Sequence, residues 1–395
     1  MKNSTDILII GGGVIGVSIA YHLAQRKLGK ILLLEKNALA SGSTGCSVAS
    51  IDSFIFPPAL TELAAQSFTF FQRFHDLVGE NCGFTQTGSL IIAGEEHANT
   101  LQDAVKQNQK AGQNVRLLNN LAEFSALEPL ATPEKVASVS YAPEAGYADP
   151  VLTTQALAKA AIRMGVDIRS GQTVTGLRAE NGKIIGAETE RGLIPASVVI
   201  VAAGPKSGYL LSGLGINIPF RMLRHPVACL RRPSKNKFEH YSIWDFVNGI
   251  YARPDKYSLT LLGSIDTKIG YTLADPDDEQ CGYAPNSYTF WAAERFVQRY
   301  PTLEESTLCK GWSGILVVSP DWLPTVGAIE KYSGLYCATG FSGHGFQISP
   351  AVGNFLAAEI SGDPRATELL QPLSPARFLR DQNKEFFYKN MAMLS

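Results

Sequence analysis

The 395-residue chain is poor in paired cysteines and in charge imbalance, and each shortage closes a class of function. Its six cysteines, Cys46, Cys82, Cys229, Cys281, Cys309 and Cys337, form no CxxC pair and have no histidine at metal-ligand spacing. A disulfide framework and a zinc site are therefore not expected, and the cysteines read as reduced and structural, in a cytoplasmic protein. Lys and Arg number 35 against 36 Asp and Glu. A net charge of −1 offers no basic field to hold nucleic acid or an anionic membrane. No run of 18 apolar residues occurs, so no membrane span is expected. Asp6 interrupts the apolar N-terminal stretch, which does not read as a signal peptide. Repeats and low-complexity segments are absent too.

What is present begins with "DILIIGGGVIGVSIAYHLAQRKLGKILLLEK". Ile7–Ile10 and Ile31–Leu34 are short apolar runs suited to buried parallel strands, and Val14–Leu28 between them has helical periodicity. Together they make a βαβ unit. Helices are predicted over Pro58–Val78 and Glu96–Lys110, with a strand near Gly88–Ile92 between them, and again after "GYADP". "TVTGLRAENGKIIGAETE" reads as a hairpin turning at Asn181-Gly182. Strands dominate from Ile218 to Ser319, apart from a helix near Ser287–Tyr300, and "GLYCATG" returns as a buried strand.

The pattern predicts an α/β (α+β) fold: a discontinuous Rossmann-like domain with an inserted β-rich substrate domain. The expected division is 1–50, 147–214 and 322–395 for the nucleotide domain, and 51–146 and 215–321 for the substrate domain.

Gly11, Gly13 and Gly16 form GxGxxG between the first strand and its helix. The first permits the tight turn, the second lets a pyrophosphate approach the backbone, and the third packs helix against strand. Val14 and Ile15 open the helix, whose positive N-terminus would receive the phosphates. Glu35, nineteen residues after Gly16, stands where a carboxylate meets a ribose hydroxyl, with Lys36 beside it. An acidic residue there disfavours NADP and leaves FAD or NAD.

Three further stretches of small residues favour FAD. They are "SGSTGCS" at Ser41–Ser47, which includes Ser43 and Thr44, the strand end Ala202-Ala203-Gly204, and "ATGFSGHGFQISPAVG". A wide isoalloxazine plane would use them all.

These segments, with "WSGILVVSPDWLPTVG", resemble the glycine oxidase and sarcosine oxidase group of the FAD-dependent D-amino acid oxidase superfamily, in order along nearly the whole chain. They resemble most the β subunits of heteromeric sarcosine oxidases and the dye-linked proline or opine dehydrogenases. The resemblance implies FAD and oxidation of a C–N bond in a small amine or amino acid by hydride transfer to flavin N5, giving an imine. It carries cofactor contact to Val174, Gly314, Gly340, Gly343, His344, Gly345, Phe346 and Gln347. His344 reads equally as a loop histidine packed near the cofactor. Ser349 is the expected N-cap and Pro350 the first helical residue of the following helix, with Gly362 and Pro364 closing it.

Departures from the family shape the rest. Some sarcosine oxidases tether FAD through a cysteine six residues before a Pro-Asp pair; here that position is Gly314, so FAD is expected to be non-covalent. Two cations that grip a substrate carboxylate in relatives fall on Gln347 and Leu316. Tyr251 matches a substrate-contacting tyrosine, and Tyr251, Gln347 and Arg253 are the catalytic-site candidates, with Arg224 and His225 as further ones. Tyr251 and Arg253 are read as facing opposite sides of their strand, so that one of the two points inward.

Oxygen or another carrier would take the electrons, and partner subunits or a homo-oligomer stay open. Competing readings are an NAD-dependent dehydrogenase and a flavin-binding subunit or assembly factor without amine turnover of its own.

Overall fold

The computed structural model describes residues 4–52, 54–55, 57–233, 239–275, 278 and 281–379; the ends of the expected nucleotide domain, 1–3 and 380–395, lie outside them. Its first layer is a sheet whose centre is parallel. The strand Thr5–Ile10 lies between Ile31–Leu34 and Gly192–Val201, in register as Ile9 with Leu33 and Ile9 with Ile200. Leu335–Thr339 adds on parallel beside Gly192–Val201, and Asp167–Arg169 beside Ile31–Leu34. Ile7–Ile10 and Ile31–Leu34 at its centre are buried throughout, which is why they read as unbroken apolar runs.

The helices Val14–Gln25, Pro150–Arg163 and Gly345–Ile360 pack on one face of this sheet. Ser18 and Gly353 set how close the first and last approach: Ser18 Oγ donates to the Ser349 carbonyl over 2.8 Å, and any side chain at 353 would overlap Ser18. Asp149 caps Pro150–Arg163 by accepting from the Val151 and Leu152 N–H groups at 3.0 and 2.9 Å. The expected hairpin is Val174–Glu180 with Lys183–Thr189, and both turn residues have positive φ, 49° at Asn181 and 73° at Gly182.

A second, ten-stranded sheet runs in the order Gly282–Tyr283, Thr307–Val318, Arg221–Arg231, Leu259–Ser264, Ile250–Asp255, Ser242–Asp245, Ser89–Ala93, Ser138–Ala142 and Arg116–Leu117, with Thr272–Leu273 on Arg221–Arg231. One face buries Ala228, Leu230, Ala252 and Leu262 under the helix Asn286–Arg299. Beneath that helix Arg299 Nε pairs with Asp245 over 2.8 Å, both fully buried. The other face carries Val227, Cys229 and Leu261 toward Val48 and Trp312. The same sheet reaches the loop after Leu335–Thr339, where the Ser342 N–H donates to the Val317 carbonyl over 3.0 Å. A three-stranded sheet of Ser50–Ile51, Gly146–Tyr147 and Thr85–Gln86 bridges the two layers.

Three expectations fail. Pro58–Val78 is not one helix; it breaks at Arg73 into Thr61–Gln72 and Phe74–Val78. The last large helix starts at Gly345, with Ser349 and Pro350 inside it. Ser349 Oγ donates to the Phe346 carbonyl at 2.9 Å, supplying the bond that proline at 350 cannot, so a hydroxyl beside proline marks a repaired helix interior here and not a cap. Third, Cys46 and Cys281 form a disulfide across 235 residues of sequence, against the expectation of reduced cysteines. Scattered positions carry no spacing signal, so a fold-made pair is invisible in sequence. Cys82, Cys229, Cys309 and Cys337 are free thiols.

Candidate active site

The cofactor end is built from backbone. Gly11 turns the chain at φ 115°, and a side chain there would overlap the Ala202 carbonyl. A side chain at Gly16 would overlap the Gly11 carbonyl, so this glycine lets helix and strand touch. At Gly13 an added carbon would meet only Thr44 Oγ1, at 3.1 Å, and Thr44 accepts the Val14 N–H over 3.1 Å. Ile15 is half-buried at the start of the same helix. Glu35 accepts from the Gly12 N–H at 2.7 Å and the Asn37 N–H at 2.8 Å, one bond to each carboxylate oxygen. Each oxygen keeps a lone pair for a ribose hydroxyl. Lys36 follows, half-buried.

The remaining small-residue surfaces divide into open and filled. Carbons added at Gly204 (φ 54°) and Gly343 (φ 96°) would meet nothing within 4 Å, whereas one at Gly340 would strike the Phe220 ring at 2.5 Å. Gly340 is thus bare for the sake of Phe220, and Gly345 lies against Phe341, 3.1 Å from an added carbon. Phe346 is buried and stacks on Phe71 with ring centroids 5.6 Å apart. Val174 and Ala203 pack against the apolar cluster under the parallel sheet.

Gly13, Gly204 and Gly343 all follow the carboxyl ends of parallel strands, where nucleotides bind in such sheets. Open backbone at Gly204 and Gly343, the glycine turn through Gly13 and a carboxylate at a fourth strand end fit an extended flat dinucleotide.

The loop through Ser43 is pinned to the strand Thr307–Val318: Ser43 Oγ donates to the Ile315 carbonyl at 2.6 Å, and Trp312 Nε1 to the Cys46 carbonyl at 2.9 Å. Gly314 faces that loop, and a side chain there would come within 2.6 Å of Cys46 Cβ. Across the ladder from Gly314 stands His225.

His225 is the centre of a buried polar and aromatic cluster. Its Nε2 and the Tyr251 hydroxyl are hydrogen-bonded at 2.8 Å, and its ring stacks on Tyr271 with centroids 4.4 Å apart. Burial pushes the imidazole down to about 3, so it is neutral, and raises the Tyr251 phenol well above its usual value. His225 Nδ1 has no partner among the described residues. The Tyr251 ring lies over Gly263, whose missing side chain makes the room.

Arg253 is two residues from Tyr251 and shares its face of the strand, which corrects the expectation of opposite faces. Its guanidinium is spent on the Val48 and Pro254 carbonyls, on Asp255 at 3.4 Å, and over the Tyr147 ring at 4.1 Å. Arg224 points from the opposite face to Ser313 and Asp278. Leu316 sits opposite Leu223.

Gln347 lies in the first turn of Gly345–Ile360, and its side-chain amide donates to the Asp52 and Phe54 carbonyls. His344 precedes that helix, and its protein surroundings push the imidazole down to about 4, so it too is neutral.

One residue escaped the sequence reading. Asp52 follows the strand Ser50–Ile51 and is buried, and burial pushes its carboxyl up to about 6 against the bonds from Phe54 and Ser89. A lone acid among small and apolar residues in "ASIDSF" was the available signal.

A family model described as "DAO: FAD dependent oxidoreductase" matches residues 6–359. The chain is 27% identical over 90% of its length to 4-methylaminobutanoate oxidase (formaldehyde-forming) of Paenarthrobacter nicotinovorans, covering 44% of that protein. It is also 25% identical to the glycine oxidase of Pseudomonas putida, over 88% of this chain and 92% of the relative. Among solved structures, L-proline dehydrogenase from P. horikoshii superposes with a TM-score of 0.86 at 26% identity, covering 96% of this chain and 99% of that one. The chain thus spans less than half of the first relative and nearly all of the other two. Among the described residues no helix is long and apolar enough to cross a membrane.

Proposed function

The chain belongs to the DAO family of FAD-dependent oxidoreductases, and from that premise we propose that it oxidises the C–N bond of an amino acid or secondary amine to an imine. The observation that carries the reading is the meeting of two surfaces. The strand Thr307–Val318 joins them: the Ser342 N–H, beside the open backbone of Gly343, donates to its Val317 carbonyl over 3.0 Å, and its Gly314 pairs with His225, the buried, neutral partner of Tyr251. FAD, when bound, supplies the acceptor for the hydride lost from the substrate carbon.

The chain's own residues bind, orient and exclude water. The turn Gly11–Gly16 and Glu35 hold the nucleotide half. The N-terminus of Gly345–Ile360 would offer a partial positive charge to a bound flavin. Tyr251, fixed by His225, sets the substrate's position against the flavin. In this reading the nucleotide domain is 1–50, 147–214 and 322–395, with the substrate domain between its parts.

FAD is held without a covalent bond. Gly314 has no side chain to give, and the sulfur of the neighbouring Cys46 is taken by Cys281. Acid or heat should release all the flavin from purified protein; flavin remaining on the denatured polypeptide would refute this.

Leu316 and Gln347 offer no cation for a substrate carboxylate, and Arg253 is committed elsewhere. An unpartnered buried carboxylate costs several kcal/mol, so glycine and sarcosine should be held poorly. A cyclic imino acid or a bulkier N-substituted amino acid gains apolar contact. The test is an anaerobic screen read by flavin absorbance. At least one bulky amine should bleach the flavin faster than glycine or sarcosine at equal concentration. Fastest bleaching by sarcosine would return the site to small substrates, and no bleaching by any amine would favour a flavin-binding subunit without turnover. Oxygen or another carrier completes the cycle.

A further inference from the structure

We infer that Asp52 is the amine subsite: its carboxylate receives the substrate's ammonium group and takes its proton before the carbon–hydrogen bond is broken. The inference rests on the amine-oxidising reading above and names the residue that makes the amine reactive. An ammonium nitrogen has no lone pair to support loss of hydride from the neighbouring carbon, so a proton must leave first. The transfer is a proton exchange alone: the N–H bond of the ammonium breaks, an O–H bond forms on Asp52, and no electrons change hands.

The geometry supports this in three ways. First, Asp52 and Tyr251 line one small pocket of mixed character, with Ser50, Ser89 and Ser242 on its polar side and Ile51, Ile243 and Trp244 on its apolar side. Among the described residues that line it there is no lysine, arginine or histidine. Second, the segment is tied to the cofactor helix, because Gln347 donates its amide to the carbonyl of Asp52 itself. Third, the carboxylate is oriented by the Phe54 N–H, which donates to its Oδ1 at 2.9 Å.

The other titratable groups on the surrounding strands do not compete. Burial raises Tyr251 and Tyr147, which stay neutral, and His225 behind Tyr251 is neutral as well. Asp245 is held by Arg299 on the far face of the sheet, and Arg253 pairs with Asp255. A carboxyl at about 6 is ionised above neutrality and still basic enough to accept a proton. A negative pocket also accords with Leu316 and Gln347 standing where relatives carry cations: the end of the substrate placed here is its cationic one.

The test uses FAD-loaded protein, calorimetric titration, and two ring probes of opposite charge, pyrrolidine and pyrrole-2-carboxylate. Pyrrolidine should bind more tightly than the carboxylate. Its affinity should rise about tenfold from about pH 5 to about pH 8, as Asp52 ionises while the probe stays a cation. Asp52→Asn keeps an oxygen for the Phe54 N–H; it should weaken pyrrolidine tenfold or more, flatten the pH profile, and leave the carboxylate probe unchanged or tighter. Pyrrolidine binding within twofold of the unsubstituted protein, or tighter binding of the carboxylate, overturns the inference. If the variant fails to retain FAD, the pH profile of the unsubstituted protein decides alone: a flat pyrrolidine profile overturns the assignment. Because binding is read without turnover, these outcomes are separate from whether any amine reduces the flavin.

Discussion

The proposed cofactor cradle and the proposed substrate wall are made of opposite materials. The cradle is mostly backbone and missing side chains: Gly11, Gly13, Gly204 and Gly343, each just past a strand end. The wall is side chains meeting across sequence: His225 with Tyr251, Tyr251 beside Asp52, and Asp52 tied to Gln347 across 295 residues. A cradle made of absences has few ways to change and should tolerate almost no substitution. A wall made of side chains can exchange one polar group for another, and this is where substrate preference can vary while the cofactor stays the same.

The hardest blow to that contrast is Gly11→Ala. At φ 115° an alanine is strained, and its methyl would overlap the Ala202 carbonyl. The two effects together should cost on the order of 4 kcal/mol of stability and remove bound FAD. Denaturant unfolding and flavin content measure both, and a stable, yellow variant would show that the cradle is more plastic than its geometry says.

Next in size is Glu35→Ala, the cradle's carboxylate. Loss of the bonds from the Gly12 and Asn37 N–H groups, and of the ribose hydroxyls, should weaken FAD binding by about 1.5–3 kcal/mol. Reconstitution of apoprotein with FAD measures this; unchanged affinity would mean the carboxylate serves only its own turn.

On the wall, Tyr251→Phe should be milder. It removes the partner of His225 Nε2 in an imidazole whose Nδ1 already has none among the described residues. About 1–2 kcal/mol of stability should go, with FAD retained and amine binding weakened. Loss of FAD from this variant would blur the contrast between the two regions.

The difference in material also explains what could be read from sequence. The strand Ile31–Leu34, the Asn181-Gly182 turn and the Gly11–Gly16 unit were legible because each is specified by adjacent residues. The Cys46–Cys281 pair, the His225–Tyr251 bond and the place of Asp52 are products of the fold, and local pattern does not encode them. Ser349-Pro350 misled because the same dipeptide serves a helix start or, with the hydroxyl bonded back to Phe346, a helix interior. Arg253 was a candidate by its charge, and its partners here, Val48 and Tyr147, come from distant segments that local pattern does not reveal.

The smallest expected effect gives the sharpest comparison. Gly343 and Gly165 share φ 96°, and a methyl added at either would meet nothing within 4 Å. Gly165 ends the helix Pro150–Arg163, and Gly343 is on the loop read as flavin-facing. By backbone strain alone the two are equivalent, so Gly165→Ala and Gly343→Ala should each cost the FAD-free protein about 1 kcal/mol. If the open space at Gly343 belongs to the cofactor, the methyl there also intrudes on bound flavin, while the one at Gly165 points only at solvent. Gly343→Ala should then weaken FAD in reconstitution titrations and shift the flavin spectrum, and Gly165→Ala should do neither. Equal FAD affinity in the two variants would show that the bareness of Gly343 serves the turn alone, and would move the flavin away from this loop.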